Sequence, residues 1–164
     1  THLVDIRKSF EPRAEELAKK YALAPYTMFI GSGALWGETI LFSMCILEEM
    51  QWKRTRYITS ADFFHGTLEL VEPGVPVFLF MGEDENRKLD ERVRAFLTRG
   101  VTGDTDINVI DTAEFAIPGL DDEFRVIVSP WILTVLVTDR LARYYETVTK
   151  HNLKYRRYYH QFDY

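Results

Sequence analysis

The sequence is poor in cysteine and has no long apolar run. Among its 164 residues is a single cysteine, Cys45, which excludes an internal disulfide and a paired-cysteine metal site. A transmembrane helix would need a run of about eighteen apolar residues, and none is present. The first residues, Thr1 to Lys8, lack the apolar core of a secretory signal peptide. These absences predict a cytoplasmic protein.

An excess of positive charge is also absent. The chain has 20 Lys and Arg residues against 25 Asp and Glu residues, a formal net charge of −5. Nucleic-acid-binding domains are usually basic, so a nucleic acid is not an expected partner. Because there is no long apolar run, a membrane is not expected either. Apolar residues are abundant instead, since 46% of the chain is hydrophobic and 14% is aromatic. This length and composition predict one globular domain and exclude a disordered chain.

Segments of strand type and helix type alternate along the chain. Short runs rich in aromatic and branched residues predict strands at Tyr26–Ile30, Arg56–Ser60, Val75–Met81 and Ile107–Ile110. Helical periodicity predicts helices at Phe10–Leu23, Ala34–Met50, Glu83–Arg99 and Val126–Lys150. The alternation predicts a Rossmann-like or flavodoxin-like α/β fold, a three-layer sandwich with a mostly parallel sheet of four to five strands. Ligands of such folds bind at the carboxyl ends of the strands.

A glycine-rich loop follows the first predicted strand. It has the sequence GSGALWG over residues 31–37 and leads into the second predicted helix. A helix N-terminus offers free N–H groups to an anion, which makes Ser32 and Gly33 candidates for contact with a phosphorylated or sugar ligand. The spacing of the glycines is not that of the dinucleotide-binding fingerprint. A purely structural turn is the alternative, and both interpretations stay open.

Two glutamates and one histidine are candidates for acid–base chemistry. Glu48 and Glu49 end the second predicted helix, where the negative end of the helix dipole disfavours carboxylates. Either residue can be a solvated carboxylate or a general base. His65, the histidine that lies away from the chain ends, follows the second predicted strand. Its position is compatible with a structural role as well as a catalytic one.

The end of the chain combines positive charge with tyrosine. From Lys150 onward there are four Lys and Arg residues against one acid, Asp163, together with four of the nine tyrosines. Such a segment can stack on single-stranded RNA or face a phosphorylated substrate. Docking on its own domain or on a partner subunit is favoured, because tyrosine covers a large area at low entropic cost. We therefore predict one domain over 1–150 and a docking tail over 151–164.

Three separated segments resemble one known family. Residues 60–76, SADFFHGTLELVEPGVP, resemble a signature of sugar isomerase (SIS) domains, and most closely that of fructosamine-6-phosphate deglycases. Residues 109–114, VIDTAE, and the tail from Asn152 resemble the same group. The resemblance covers about residues 26–164. It corresponds to the second of the two SIS repeats in an enzyme of this family.

The resemblance implies a catalytic pair. In this family a glutamate sixteen residues before the motif histidine works with it, and here that glutamate is Glu49, before His65. The implied substrate is a 6-phosphorylated fructosamine, or Amadori compound. Glu49 would move a proton from C1 toward C2 through an enaminol, with His65 as the acid. Hydrolysis of the resulting imine would give glucose 6-phosphate and an amine, and the family uses no metal or other cofactor.

The resemblance also suggests substrate contacts and a partner subunit. Ser32, Gly33, Ser60, Arg156 and Arg157 are the candidates for contact with the substrate. In several family members the histidine serves the active site of the neighbouring subunit. A homodimer or a higher homo-oligomer is therefore expected.

One feature of the family is missing from the sequence. The first repeat of a family enzyme has a Ser/Thr-rich loop for phosphate, whereas the loop after Val75–Met81 is the acidic Gly82–Glu85. The chain, which does not begin with Met, is therefore expected to need an N-terminal SIS repeat, and to fold but not turn over alone. The alternatives are half of a ketose–aldose phosphosugar isomerase or aminotransferase, and a non-catalytic module that binds sugar phosphates.

Overall fold

A parallel sheet forms the middle layer of the fold. A computed structural model describes residues 2–100, 103 and 105–163. Within these residues, four strands form one sheet in the order β2-β1-β3-β4, and all neighbours are parallel. The strands are β1 Thr27–Gly31, β2 Thr55–Ile58, β3 Val77–Met81 and β4 Ile107–Asp111. The α/β fold predicted from the alternation of segments is confirmed.

Alternate residues of the two central strands face opposite sides of the sheet. All residues of β1 and β3 are buried, as expected for a parallel sheet that is covered on both faces. Phe29, Phe78 and Phe80 contribute to one hydrophobic core. Met28 and Leu79 contribute to a second core on the other face. The two cores on either side of one sheet are the three-layer sandwich that the sequence predicts.

Helices cover both faces of this sheet. They are α1 His2–Ser9, α2 Glu11–Tyr21, α3 Trp36–Ile40, α4 Ser60–Phe63, α5 Arg87–Leu97, α6 Arg125–Leu133 and α7 Ala142–Thr149. Short 3₁₀ turns occur at Gly33–Leu35, Thr67–Leu70, Thr112–Glu114 and Asp122–Phe124. The second core is covered by α4 and α5, and the helices that include α2 and α7 cover the first. Among the described residues, no helix has both the length and the apolar character that crossing a membrane requires.

Two of these helices contain wide, π-helical turns. A π-helix over Leu41–Met50 continues α3, and a second one over Thr134–Leu141 joins α6 to α7. The Gln51 N–H donates to the carbonyl of Ile46, five residues earlier, at 3.1 Å. We call the first continuous unit the 36–50 helix and the second the 125–149 helix. Side chains near the end of the 36–50 helix do not follow the α-helical spacing that the sequence analysis assumes.

The structure differs from the sequence-based expectation at the start of the chain and at several boundaries. The sequence predicts no helix before Phe10, but α1 is present and buries only Ile6, so its sequence shows no apolar face. Helix α5 begins at Arg87 rather than Glu83, because the preceding acidic residues make contacts with other loops. The predicted loop over 100–106 lies partly outside the described residues.

Candidate active site

The 36–50 helix carries Glu48 and Glu49 to the amino edge of the sheet. This helix leaves the carboxyl end of β1 and returns to the start of β2, where Thr55 donates a hydrogen bond to the Glu48 carboxylate. Glu49 is half-buried, and its Oε1 lies 2.8 Å from Nε of Arg156. The two glutamates therefore have different partners. Glu48 is bound to its own sheet, and Glu49 is bound to the tail.

Trp52 turns the chain where this helix ends. Its φ angle of 53° lies in the left-handed region, which is rare for a bulky side chain. The Lys53 N–H donates to the Leu47 carbonyl at 2.8 Å and closes the last turn of the helix. The Trp52 ring centroid lies 4.4 Å from that of His151 and 4.2 Å from the guanidinium carbon of Arg157. The turn therefore presents an aromatic surface to the tail.

Hydrogen bonds fasten the tail to the same place. The Gln51 side chain donates to the His151 carbonyl at 2.5 Å and accepts a hydrogen bond from the Thr149 hydroxyl at 2.7 Å. Arg156 donates through Nη1 to the Leu153 carbonyl at 2.9 Å, while its Nε pairs with Glu49. These contacts hold the guanidinium group of Arg156 in one position beside the end of the 36–50 helix.

A pocket of about 470 Å³ lies between this helix end and the tail. It is lined by Glu48 and Glu49, by residues 52–54 and by residues 156–159. The lining includes four cationic side chains and two carboxylates, and both carboxylates already have partners. A pocket of this size can hold a sugar-sized ligand. Its excess of positive charge favours an anionic one.

Ser32 and Ser60 lie at the opposite, carboxyl edge of the sheet. Both residues are buried, and the Ser60 N–H donates to Oγ of Ser32 at 2.7 Å. Their contact joins the end of β1 to the end of β2. Neither serine lines the pocket beside Glu49.

The glycine-rich loop between β1 and the 36–50 helix is closed by a carboxylate. Oδ2 of Asp84 accepts a hydrogen bond from the N–H of Ala34 at 2.5 Å. Gly33 has a φ of 54°, and a Cβ atom at this position would collide with the Asp84 carboxylate. The N–H group of Ala34, at the start of the predicted helix, is therefore occupied by the chain itself. This arrangement favours the structural-turn interpretation of residues 31–37.

His65 lies at the other end of β2 from Glu49. It is exposed, and its backbone N–H donates to the Asp62 carbonyl at 2.9 Å. Strand β2 begins at Thr55, the partner of Glu48, and Ser60 follows its end. At about 3.3 Å per residue, this stretch spans roughly 15 Å. The Glu49 and His65 side chains of one chain therefore do not share a pocket.

Two curated relatives match most of the chain. It is 30% identical to a fructosamine deglycase of Bacillus subtilis over 148 residues, which is 88% of this chain and 43% of that protein. It is also 30% identical to the fructoselysine 6-phosphate deglycase of Escherichia coli over 161 residues, which is 96% of this chain and 43% of that protein. The chain thus spans less than half the length of these relatives. No family model matches it.

Solved structures share the whole fold. A protein described as a phosphosugar isomerase of Bacillus subtilis superposes with a TM-score of 0.90 at 28% identity, covering 99% of this chain and 48% of that one. A second one, from Salmonella typhimurium, gives 0.88 at 28% identity, covering 99% and 49%. The chain belongs to the sugar isomerase (SIS) domain family. The tagatose-6-phosphate ketose/aldose isomerase of Escherichia coli, with a TM-score of 0.58 at 16% identity over 90% of this chain and 42% of that one, shares the fold.

Two cationic residues of the SIS domain pocket are not found by the sequence analysis. Lys53 and Arg54 follow Trp52 directly and line the pocket beside Glu49. The available signal is a pair of consecutive cations immediately after the end of a buried helix. Partial burial lowers the pKa of Lys53, because desolvation disfavours its charged form.

The acidic loop after β3 makes internal contacts in this SIS domain. Glu83 pairs with Arg125 and accepts a hydrogen bond from the Thr112 hydroxyl at 2.8 Å. Asp84 accepts hydrogen bonds from the N–H groups of Ala34 and Asn86. These carboxylates hold neighbouring loops together and would repel a phosphate. Across the part of the chain that the structure describes, no group of three His, Cys, Asp or Glu side chains is placed to hold a metal ion.

A buried carboxyl group connects two strand ends of the SIS domain. Asp90, in α5, is 1% exposed and lies 2.5 Å from the Ser60 hydroxyl. Its other oxygen accepts a hydrogen bond from the Gly82 N–H at 3.4 Å. Loss of solvent raises the pKa of Asp90 to about 6, although these two hydrogen bonds oppose the shift. The sequence signal is an acid on the apolar stripe that contains Val93 and Leu97.

Replacing Asp90 with asparagine should remove a pH dependence of stability. Because the folded-state pKa is raised from 3.8 to about 6, the fold favours the neutral acid. The stabilisation is complete below about pH 4 and is lost as the pH rises through 6, and it amounts to about 3 kcal/mol. Urea unfolding between about pH 4 and pH 7 should show the wild type losing stability relative to D90N. A difference between the two proteins that stays constant over this range would contradict the prediction.

Proposed function

We propose that this SIS domain supplies half of the active site of a cytoplasmic deglycase acting on 6-phosphorylated fructosamines. The observation that carries the proposal is the Glu49 carboxylate, which Arg156 holds at the wall of a net positive pocket. The names of the two relatives, a fructosamine deglycase and a fructoselysine 6-phosphate deglycase, support this substrate class. Because the chain spans 43% of each relative, the phosphate cradle would come from an N-terminal SIS repeat.

Glu49 acts as the general base in the proposed mechanism. Its carboxylate removes a proton from C1 of the open-chain substrate, and the electrons of that C–H bond form the C1–C2 double bond of an enaminol. His65 protonates the C2 oxygen at the same stage. Glu49 then returns the proton to C2, and the nitrogen electrons form the C1=N bond of an iminium ion. Water adds to C1 and the amine leaves, which gives glucose 6-phosphate.

The other predicted contacts divide between the two ends of the sheet. Arg156 and Arg157 would contact the substrate beside Glu49, and Arg156 would also orient the carboxylate. Ser32, Gly33 and Ser60 lie at the His65 end of the sheet. In this proposal they support the loop that presents His65 rather than the pocket around Glu49.

His65 is proposed to act in the pocket of a neighbouring subunit. It is exposed, and within one chain the length of β2 separates it from Glu49. A twofold dimer would place two equivalent sites at its interface, each with Glu49 from one copy and His65 from the other. A homo-oligomer with shared sites reconciles the family spacing of this pair with their separation in one chain.

Mixing two inactive variants should restore activity if the sites are shared. Full-length E49Q and H65N homo-oligomers are each expected to be inactive. In a mixed dimer, one of the two sites has both wild-type groups, so co-expression with random pairing should recover about a quarter of the wild-type activity. Glucose 6-phosphate release from the purified mixture measures this recovery. If the mixture stays as inactive as its components, His65 does not act across subunits.

The direct test of the function supplies a fructosamine 6-phosphate to the full-length protein. Release of glucose 6-phosphate together with the free amine is expected. Interconversion of fructose 6-phosphate and glucose 6-phosphate without deglycation would indicate a ketose–aldose isomerase. Binding without turnover would indicate a sugar-phosphate-binding module. The 164-residue chain alone should be inactive in the same assay.

A further inference from the structure

We infer that Lys53, Arg54 and Arg157 form an oxyanion subsite for the carboxylate of an α-linked amino acid, which is the amine part of the substrate. The inference rests on the proposed function, because it assigns the second anionic group of the same substrate. It adds Lys53 and Arg54, which are not among the catalytic or substrate-contact residues predicted from the sequence. It also selects one class among the fructosamine 6-phosphates.

These three cations line the same pocket as Glu49 and come from two segments of the chain. Lys53 and Arg54 follow the turn at Trp52 and form one wall of the pocket. Arg157 comes from the tail, and its guanidinium carbon lies 4.2 Å from the centroid of the Trp52 ring. Stacking on an aromatic ring fixes the plane of a guanidinium group and leaves its N–H groups free to donate sideways. Arg157 therefore presents preoriented donors to the pocket that Lys53 and Arg54 also line.

In the described part of the chain, these three cations form no ion pair with either carboxylate of the pocket. Glu49 pairs with Arg156, and Glu48 accepts a hydrogen bond from Thr55. Among the residues that the structure describes, no ion pair involves Lys53, Arg54 or Arg157. Lys53 is partly buried, and desolvation lowers its pKa. A bound oxyanion would offset this unfavourable burial of positive charge.

The position of the reacting carbon favours a carboxylate over the sugar phosphate. Glu49 must reach C1, and only the nitrogen and the α-carbon separate C1 from the carboxylate of an α-linked amino acid. The phosphate lies at the far end of the six-carbon chain. Cations that line the same pocket as Glu49 are therefore placed to bind the carboxylate of an α-linked amino acid. In a lysine linked through its side-chain nitrogen, four methylene groups move the carboxylate away from this position.

The test measures binding to full-length E49Q protein, which should bind the ligands without turning them over. The ligands are the fructosamine 6-phosphates of glycine, of ethanolamine and of the lysine side-chain nitrogen. Calorimetry should show the glycine compound binding about 10- to 100-fold more tightly than the ethanolamine compound, because charge-assisted hydrogen bonds are lost with the carboxylate. The lysine compound should bind like the ethanolamine compound.

Substitution of the cations should remove this preference. Adding K53Q or R54Q should weaken binding of the glycine compound by about tenfold and leave the ethanolamine compound within about threefold. The exposed Lys88 on α5 gives the matched control, and K88Q should preserve the preference. If K53Q or R54Q weakened the binding of both compounds equally, the cations would be assigned to the phosphate and the inference would be overturned. It would also be overturned if E49Q protein bound the glycine and ethanolamine compounds with equal affinity. Turnover by the wild type is measured separately, so failure of the proposed function is distinguished from failure of the subsite.

Discussion

Replacing Glu49 with glutamine in the full-length protein is expected to lower kcat for fructosamine 6-phosphate by about 10²- to 10⁴-fold, the usual contribution of a positioned general base. Glutamine keeps the size of the side chain and an oxygen that can accept a hydrogen bond from Arg156. The change therefore removes the proton acceptor while preserving this contact to the tail. Steady-state release of glucose 6-phosphate measures the loss, and KM should change much less than kcat.

Glu48 and Glu16 provide the comparisons for this experiment. The carboxylate of Glu48 is bound by Thr55, so E48Q should have a much smaller effect than E49Q. Glu16 is exposed on α2 and does not line the pocket, so E16Q should behave as the wild type. A kcat for E49Q within about threefold of the wild type would show that Glu49 is not the base. A large loss of kcat in E48Q, but not in E49Q, would assign the role of general base to Glu48.

Replacing Phe29 with alanine is expected to cost about 3–5 kcal/mol of unfolding free energy, the range for large-to-small changes at buried aromatic residues. Phe29 has no solvent exposure and lies in the middle of β1, at the centre of the first core. Its ring stacks on those of Phe78 and Phe80 at centroid distances of 5.2 and 6.0 Å, and packs edge-on to Phe42 at 5.5 Å. The cavity would remove contacts with the neighbouring strand β3 and with the 36–50 helix.

Urea unfolding of the 164-residue chain measures this loss. Phe162 provides the matched control, because it is 59% exposed in the tail, and F162A should change stability by less than about 0.5 kcal/mol. A loss below about 1 kcal/mol for F29A would mean that the core around β1 is not packed as described. The slope of the unfolding free energy against urea concentration should be similar in the two variants if both unfold from the same compact state.

The sheet and its coverage are predictable from the sequence because strand burial leaves a simple pattern. The apolar segment Val75–Met81 has no polar alternation, and a run of this kind is typical of a parallel strand covered on both faces. Alternation of such runs with helical periodicity then determines the fold class. Strand boundaries differ by one or two residues, because an edge strand such as β2, with an exposed Arg56, carries a weaker apolar signal.

The site is less predictable because it depends on contacts between distant segments. The spacing of Glu49 and His65 suggests a pair, yet a strand lies between them and places them at opposite edges of the sheet. The backbone around Glu49 has π-helical turns up to Met50 and a left-handed turn at Trp52. Neither feature has a periodicity that a sequence reveals, since both arise from packing against the rest of the domain.

Single residues with unusual surroundings are also hidden in the sequence. Asp90 occupies an inward position of an amphipathic helix, and only the fold shows that it meets Ser60 and Gly82 there. Lys53 and Arg54 look like solvated charges, and only the fold shows that they line a pocket together with the tail. In each case the deciding partner comes from another part of the chain. Local patterns therefore miss the residue.

The ion pair between Glu49 and Arg156 has a consequence for the order in which the molecule is completed during synthesis. β1 is translated first among the strands, and it lies inside the sheet between β2 and β3, which follow it. The sheet and both cores can therefore assemble on the emerging chain, in the N-to-C direction in which domains generally fold. Arg156 follows every strand and helix described here, so the pocket closes only after the rest of the domain has formed. A chain that is truncated shortly before this residue would keep every strand and helix described here, but its proposed base would have no partner.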